Sequence, residues 1–90
     1  MQDFDKELWL KAFGEIISER RNYIAMTQQV LADQSGVHRT YISDIERGSR
    51  NITVTTANRI AAALETTAAK LFTLADRRAA ELNESGQPTD

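Results

Sequence analysis

The chain has no cysteine, one histidine, and no unbroken apolar run near the ~20 residues that a membrane-spanning helix needs. Without cysteine there are no disulfides and no thiolate metal sites, which suits a reducing cytoplasm. His38 has neither a second histidine nor a cysteine to share an ion with, so no metal and no cofactor is expected. His38, Ser43 and Asp44 lie close in sequence, but at about 100° per residue a helix sends them in three directions and no catalytic triad forms. A phosphate-cradling glycine loop is missing as well. An enzyme is therefore not expected. The acidic N-terminus does not read as a signal peptide, so the expected place of action is the cytoplasm, away from membranes.

Positive charge is also scarce. The formal net charge is −2, which by itself counts against nucleic-acid binding. Its distribution along the chain points the other way. Residues 20–59 carry Arg20, Arg21, Arg39, Arg47, Arg50 and Arg59 against Asp33, Asp44 and Glu46, a local balance of +3 with −5 left for the flanks. An acidic chain can present a basic face, and the face makes the phosphate contacts. The acidic flanks should keep non-specific affinity modest.

Ninety residues make one domain with a small single core. Its organising stretch is 27–47, TQQVLADQSGVHRTYISDIER. Thr27 is placed to cap a helix running through Val30, Leu31 and Ala32 to Gln34, with Met26 and Leu31 spaced for a hydrophobic staple. Ser35-Gly36 ends it, since glycine accepts φ > 0 without steric cost. Val37 turns inward and His38 opens a second helix, where Ile42 and Ile45 share a core face. Arg39, Thr40, Ser43, Asp44 and Arg47 fall on the opposite, wholly polar face. Two helices across a glycine turn predict a helix-turn-helix, whose second helix enters the DNA major groove.

The stretch TQQVLADQSGVHRTYISDIERGSRN resembles the lambda-repressor-like (Cro and xenobiotic-response-element type) DNA-binding domains. Within them, RTYISDIERGSRN is most similar to the controller regulators of restriction–modification systems. The resemblance covers roughly Phe13 to Leu74. It implies an all-α, five-helix domain, here with extended first and last helices. Arg21 and Glu46 match a pair that locks the first helix to the third in that family, although both could simply be solvated. Several positions depart from the pattern. Arg20 stands where an apolar residue is usual, and Ala25 where glycine usually ends the helix. Ile52 stands where proline is frequent, so that a looser turn is expected there, and Glu65-Thr66 at a break where glycine is common. An irregular approach to the Thr27 helix is therefore expected, with Tyr23 or Ile24 replacing a core contact.

Outside the motif, residues 3–22 read as a helix by the spacing of Leu8, Phe13, Ile16, Ile17 and Arg20. Thr53 is placed to cap a helix carrying Ala57, Ile60, Ala61 and Leu64, and Thr67 to cap the last one, with Leu71 and Leu74 inward. That helix should reach about Asn83. Ala68, Phe72, Ala75, Ala79 and Leu82 step by four and three, the spacing of a packed seam. Either the seam covers Phe4, Leu8 and Trp9 within one chain, or it forms a homodimer interface. The divisions that follow are 1–12, a helical extension; 13–74, the DNA-binding domain; 75–84, the extended last helix; and 85–90, a polar tail expected to be disordered.

The site residues follow from chemistry and position. Arginine can bond guanine O6 and N7 together, and threonine can touch a thymine methyl or a base edge. Arg39 and Thr40 are therefore expected to read bases, a phosphate being the alternative for Arg39. Ser43 and Asp44 lie one turn on. Asp44 could accept from a cytosine amino group or orient Arg39 or Arg47. Phosphate contacts are expected from Thr27 and Gln28 at a helix start, the latter by resemblance, and from His38, which could equally cap its helix. Tyr41, Arg47, Ser49, Arg50 and Asn51 complete that set. The expected partners are double-stranded DNA and a second copy of the chain, with RNA polymerase or a toxin protein as further candidates. The toxin belongs to a rival reading in which the chain is an antitoxin.

Overall fold

In the computed structural model, residues 4–86 are described, with side chains as far as residue 84, and the described residues form helices without strands. Each helix starts at a side chain that can accept a backbone N–H left free by the first turn. Asp5 accepts from the Leu8 N–H at 3.1 Å and opens α1 (Lys6–Tyr23). The helix thus begins three residues after the expected position. Thr27, Thr53 and Thr67 accept from Val30, Thr56 and Lys70, opening α2 (Gln28–Ser35), α4 (Val54–Ala63) and α5 (Ala68–Gly86). His38 opens α3 (Arg39–Glu46), its Nδ1 accepting from the Thr40 N–H at 3.2 Å.

Phe13 and Ile17 of α1, Leu31 of α2, Ile42 and Ile45 of α3, Ile60 of α4, Leu64 and Leu71 are almost wholly buried together. Val37 joins them from the turn. α1 packs on α5 and α3, and α2 on α3 and α4. The second motif helix is therefore held from two sides.

The departures from the family pattern have physical explanations. Ala25 and Glu65 both take left-handed backbone, at φ +56° and +60°, the conformation for which glycine is usual. Arg20 is polar because it caps another helix. Its Nε donates to the Leu64 carbonyl at 2.9 Å and its Nη2 to that of Glu65 at 3.1 Å, where α4 ends with unpaired carbonyls and negative partial charge. Ile24 packs against the core, whereas Tyr23 remains 82% exposed.

The last helix requires two corrections. Leu74 is 43% exposed, because Ala75, one position on, takes the inward place after Leu71. The seam is also largely consumed inside the chain. Ala68 and Ala75 are buried in its own core, and Phe72 lies 5.6 Å from Phe13 and 5.7 Å from Trp9. Trp9 stacks on Phe13 at 5.1 Å and donates its indole N–H to Asp76 at 2.7 Å. Periodicity records that a face is covered but not by what, and here the N-terminal extension covers it. Ala79 and Leu82 are half-buried, while Phe4 stays 70% exposed. Arg78 adds an ion cluster, donating to Glu15 at 2.8 Å and to both carboxylate oxygens of Glu19 at 2.6 and 2.8 Å. α5 continues to Gly86, past the expected Asn83, and the remainder of the tail lies outside the described residues.

Candidate nucleic-acid interface

Gly36 closes α2 at φ +72°, with its N–H donating to the Ala32 carbonyl. Ser35 tightens the turn, its Oγ accepting from the Val37 N–H at 3.2 Å. Burial of Val37, Ile42 and Ile45 then fixes the rotation of α3, so Arg39 and Thr40 open its first turn exposed. Among the described residues, neither side chain is hydrogen-bonded to the rest of the chain. Both are open to an outside partner.

Beneath this surface lies a charged anchor. Arg21 pairs with Glu46 through Nε–Oε2 at 2.7 Å and Nη2–Oε1 at 3.0 Å, with only 13% and 8% of the two side chains exposed. The Glu46 carboxylate pushes the guanidinium pKa further up from its ordinary value. Arg21 also donates to the Met26 carbonyl at 2.9 Å, and Gln28 donates to Glu46 Oε1 at 3.0 Å. One glutamate thus ties α1, the start of α2 and the end of α3 together. The Gln28 amide, expected to reach out to a phosphate, is turned toward this anchor.

Beyond the first turn, the polar face of α3 is engaged with itself. Tyr41 donates its hydroxyl to the Asn51 carbonyl at 3.0 Å, and its ring lies 4.6 Å from the Arg50 guanidinium. Ser43 Oγ accepts from Arg47 at 2.7 Å. Asp44 takes Arg47 on Oδ1 and Arg50 on Oδ2, the latter through Nε at 3.2 Å and Nη2 at 3.0 Å. Of the arginines expected to be oriented by Asp44, it holds Arg47, together with Arg50, and among the described residues it makes no bond to Arg39. The Ser49 N–H and hydroxyl both donate to the Asp44 carbonyl, at 3.0 and 3.1 Å, shaping the loop that exposes Ser49, Arg50 and Asn51.

Thr27, Gln28, His38 and the residues from Arg39 to Asn51 therefore come from α2, α3 and the loop after α3. One candidate is not apparent from the sequence. Lys6, in the first turn of α1, lines a cleft with Ser49, Arg50 and Asn51. The feature that points to it is Gly48 (φ +73°), where a Cβ would stand 2.8 Å from the Lys11 Cα, a close approach that brings the extension to the loop. Among the described residues, no group of three or more histidine, cysteine or acidic side chains could hold a metal ion, and no helix is long and apolar enough to cross a membrane.

A helix-turn-helix family model matches residues 17–71, from the middle of α1 into α5. The chain belongs to the helix-turn-helix family. This helix-turn-helix protein is lambda-repressor-like, and its similarity to restriction–modification controller proteins extends over most of its length. It is 40% identical over 73 residues to the control protein C.SmaI of Serratia marcescens, covering 77% of this chain and 87% of that one. The controller protein C.Esp1396I, solved as a tetramer in complex with its natural 35 base-pair operator, is 33% identical. It superimposes with a TM-score of 0.72 over 88% of this chain and 99% of its own. The clp gene regulator ClgR of Corynebacterium glutamicum has a TM-score of 0.83 over 90% of this chain and 86% of its own. At 23% identity, that similarity concerns the fold alone.

Proposed function

We propose that the chain is a sequence-specific, double-stranded-DNA-binding transcription regulator, acting in the cytoplasm as a homodimer on a pseudo-palindromic operator, in the manner of restriction–modification controller proteins. The observation that carries this reading is the first turn of α3. Arg39 and Thr40 stand exposed and uncommitted there, on a helix whose rotation is fixed from beneath by Ile42, Ile45 and Glu46. A helix in this setting places its N-terminal residues against base edges.

The assigned roles are those of a binding protein and not an enzyme. Arg39 and Thr40 read base edges, and Ser43 follows one turn on. The exposed Ser49, Arg50, Asn51 and Lys6, with the first turns of α2 and α3 at Thr27, Gln28 and His38, take the phosphates, which position the protein without specifying sequence. Pairing of copies uses the face of α5 left open after its seam is buried, where the exposed Leu74 lies across one groove from Tyr23 and lines a second with Ala69 and Thr73.

Selection of bound fragments from a random DNA pool, followed by sizing of the complex, tests the reading. The expected result is a two-fold-related site with half-sites about 34–36 Å apart, or a multiple of that, and two chains per site. Arg39→Ala should erase discrimination at one position of each half-site, costing about 1–3 kcal/mol. Failure to enrich any sequence at low salt would reject the reading.

A further inference from the structure

We infer that Asp44 is a positioning residue that suppresses non-specific DNA binding, by holding Arg47 and Arg50 in an internally compensated ion cluster at the far end of the recognition helix. The inference rests on the DNA-binding function proposed for this face. Three observations carry it. The Asp44 side chain is only 17% exposed although it lies on the outward face of α3, because its own arginines cover it; they are 61% and 48% exposed. The arginine placement is specified in detail. Arg50 is clamped edge-on by Oδ2 and face-on by the Tyr41 ring at 4.6 Å, while Arg47 is shared between Asp44 and Ser43. Tyr41 is itself fixed through the Asn51 carbonyl.

The consequences are electrostatic. Two arginines free to turn would each neutralise a phosphate on any duplex, releasing a counterion irrespective of sequence. Bound to one carboxylate, the three groups present a single net positive charge, with the remaining guanidinium N–H groups pointing in set directions. A phosphate in the matching place is contacted without a search over rotamers. A phosphate elsewhere must compete with Asp44. Discrimination therefore gains from a residue that touches no base.

The test compares wild type with Asp44→Asn and Asp44→Ala, and with Glu84→Gln as a charge-matched control at the exposed end of α5. Fluorescence anisotropy is followed between about 50 and 200 mM KCl on two probes: a 30 base-pair duplex of random sequence, and the duplex that wild type selects from a random pool. Both Asp44 variants should bind the random duplex roughly threefold or more tighter than wild type and Glu84→Gln, with a salt slope steeper by about 1. Affinity for the selected duplex should change less, so the ratio between the probes falls. Asp44 variants that match Glu84→Gln on both probes would overturn the inference. Loss of selected-site affinity at unchanged random-duplex affinity would also overturn it, making Asp44 a base acceptor instead. Wild type that binds neither probe would reject the DNA-binding function itself.

Discussion

At the scale of single residues, the stability of the reading surface converges on Glu46. Its carboxylate accepts from both Arg21 and Gln28 while almost wholly buried. Removing it strands a buried guanidinium, a loss of about 3–5 kcal/mol, whereas the exposed cluster at Asp44 is worth about 1 kcal/mol or less. Glu46→Ala is accordingly expected to lower the melting temperature by roughly 12–40 °C in a chain of this size, and Asp44→Ala by a few degrees. Equal shifts in thermal melts would refute the difference in burial. The Arg21–Glu46 pair is visible in the sequence through its resemblance to a known pairing. The role of Arg20 is not, because its acceptors, the carbonyls of Leu64 and Glu65, exist only once α4 has ended beside α1. The pairing of Asp44 with Arg50 is hidden for a similar reason. They lie six positions apart, and the loop that folds Arg50 back has no periodicity to extrapolate.

At the scale of elements, α1 and α3 approach so closely that one atom decides their spacing. A Cβ on Gly14 would sit 2.4 Å from the Ile45 carbonyl oxygen and 2.6 Å from that of Glu46. Both are backbone atoms at the end of the recognition helix and cannot swing aside. Alanine favours a helix over glycine by about 1 kcal/mol, but the steric conflict is larger. Gly14→Ala should therefore lose about 1–3 kcal/mol and weaken binding to a selected duplex, as measured by melting and anisotropy; a stabilised, fully binding variant would show that the helices can separate freely. The caps at Thr27, Thr53 and Thr67 and the inward stripes of α3 and α4 are legible in the sequence, since local chemistry and period determine them. The covering of α5 is not. Its apolar spacing suits a partner helix from either source, and Trp9, which blurs the stripe of α1 in sequence, supplies the cover.

At the scale of the whole molecule, the ends of the chain are joined by charge as well as by aromatic packing. Arg78 donates to both oxygens of Glu19 and holds its carboxyl below the ordinary carboxylate value. A carboxyl depressed in this way stabilises the fold above its unfolded pKa, and the contribution disappears as pH falls through the folded one. Glu19→Gln should therefore match wild type in strong acid and melt slightly lower near neutrality; the reverse order would contradict the ion pair. The effect is small, because 58% of the Glu19 side chain is exposed and solvent screens it. Leu74→Glu leaves the core untouched and places charge on the open face of α5, so it should elute as a monomer at concentrations where wild type is dimeric. A dimeric variant would exclude that face.

The path from α3 through Gly14 and Glu46 into α1, and from α1 through Trp9 and Arg78 into α5, contains no loop. Two molecules joined along α5 would thus behave as a caliper with one setting. Each base pair inserted between half-operators rotates one target by roughly 35° and shifts it about 3.4 Å along the axis. Lengthening the spacer by one pair should therefore damage binding more than replacing any single base within a half-operator, which a competition assay on paired duplexes would measure.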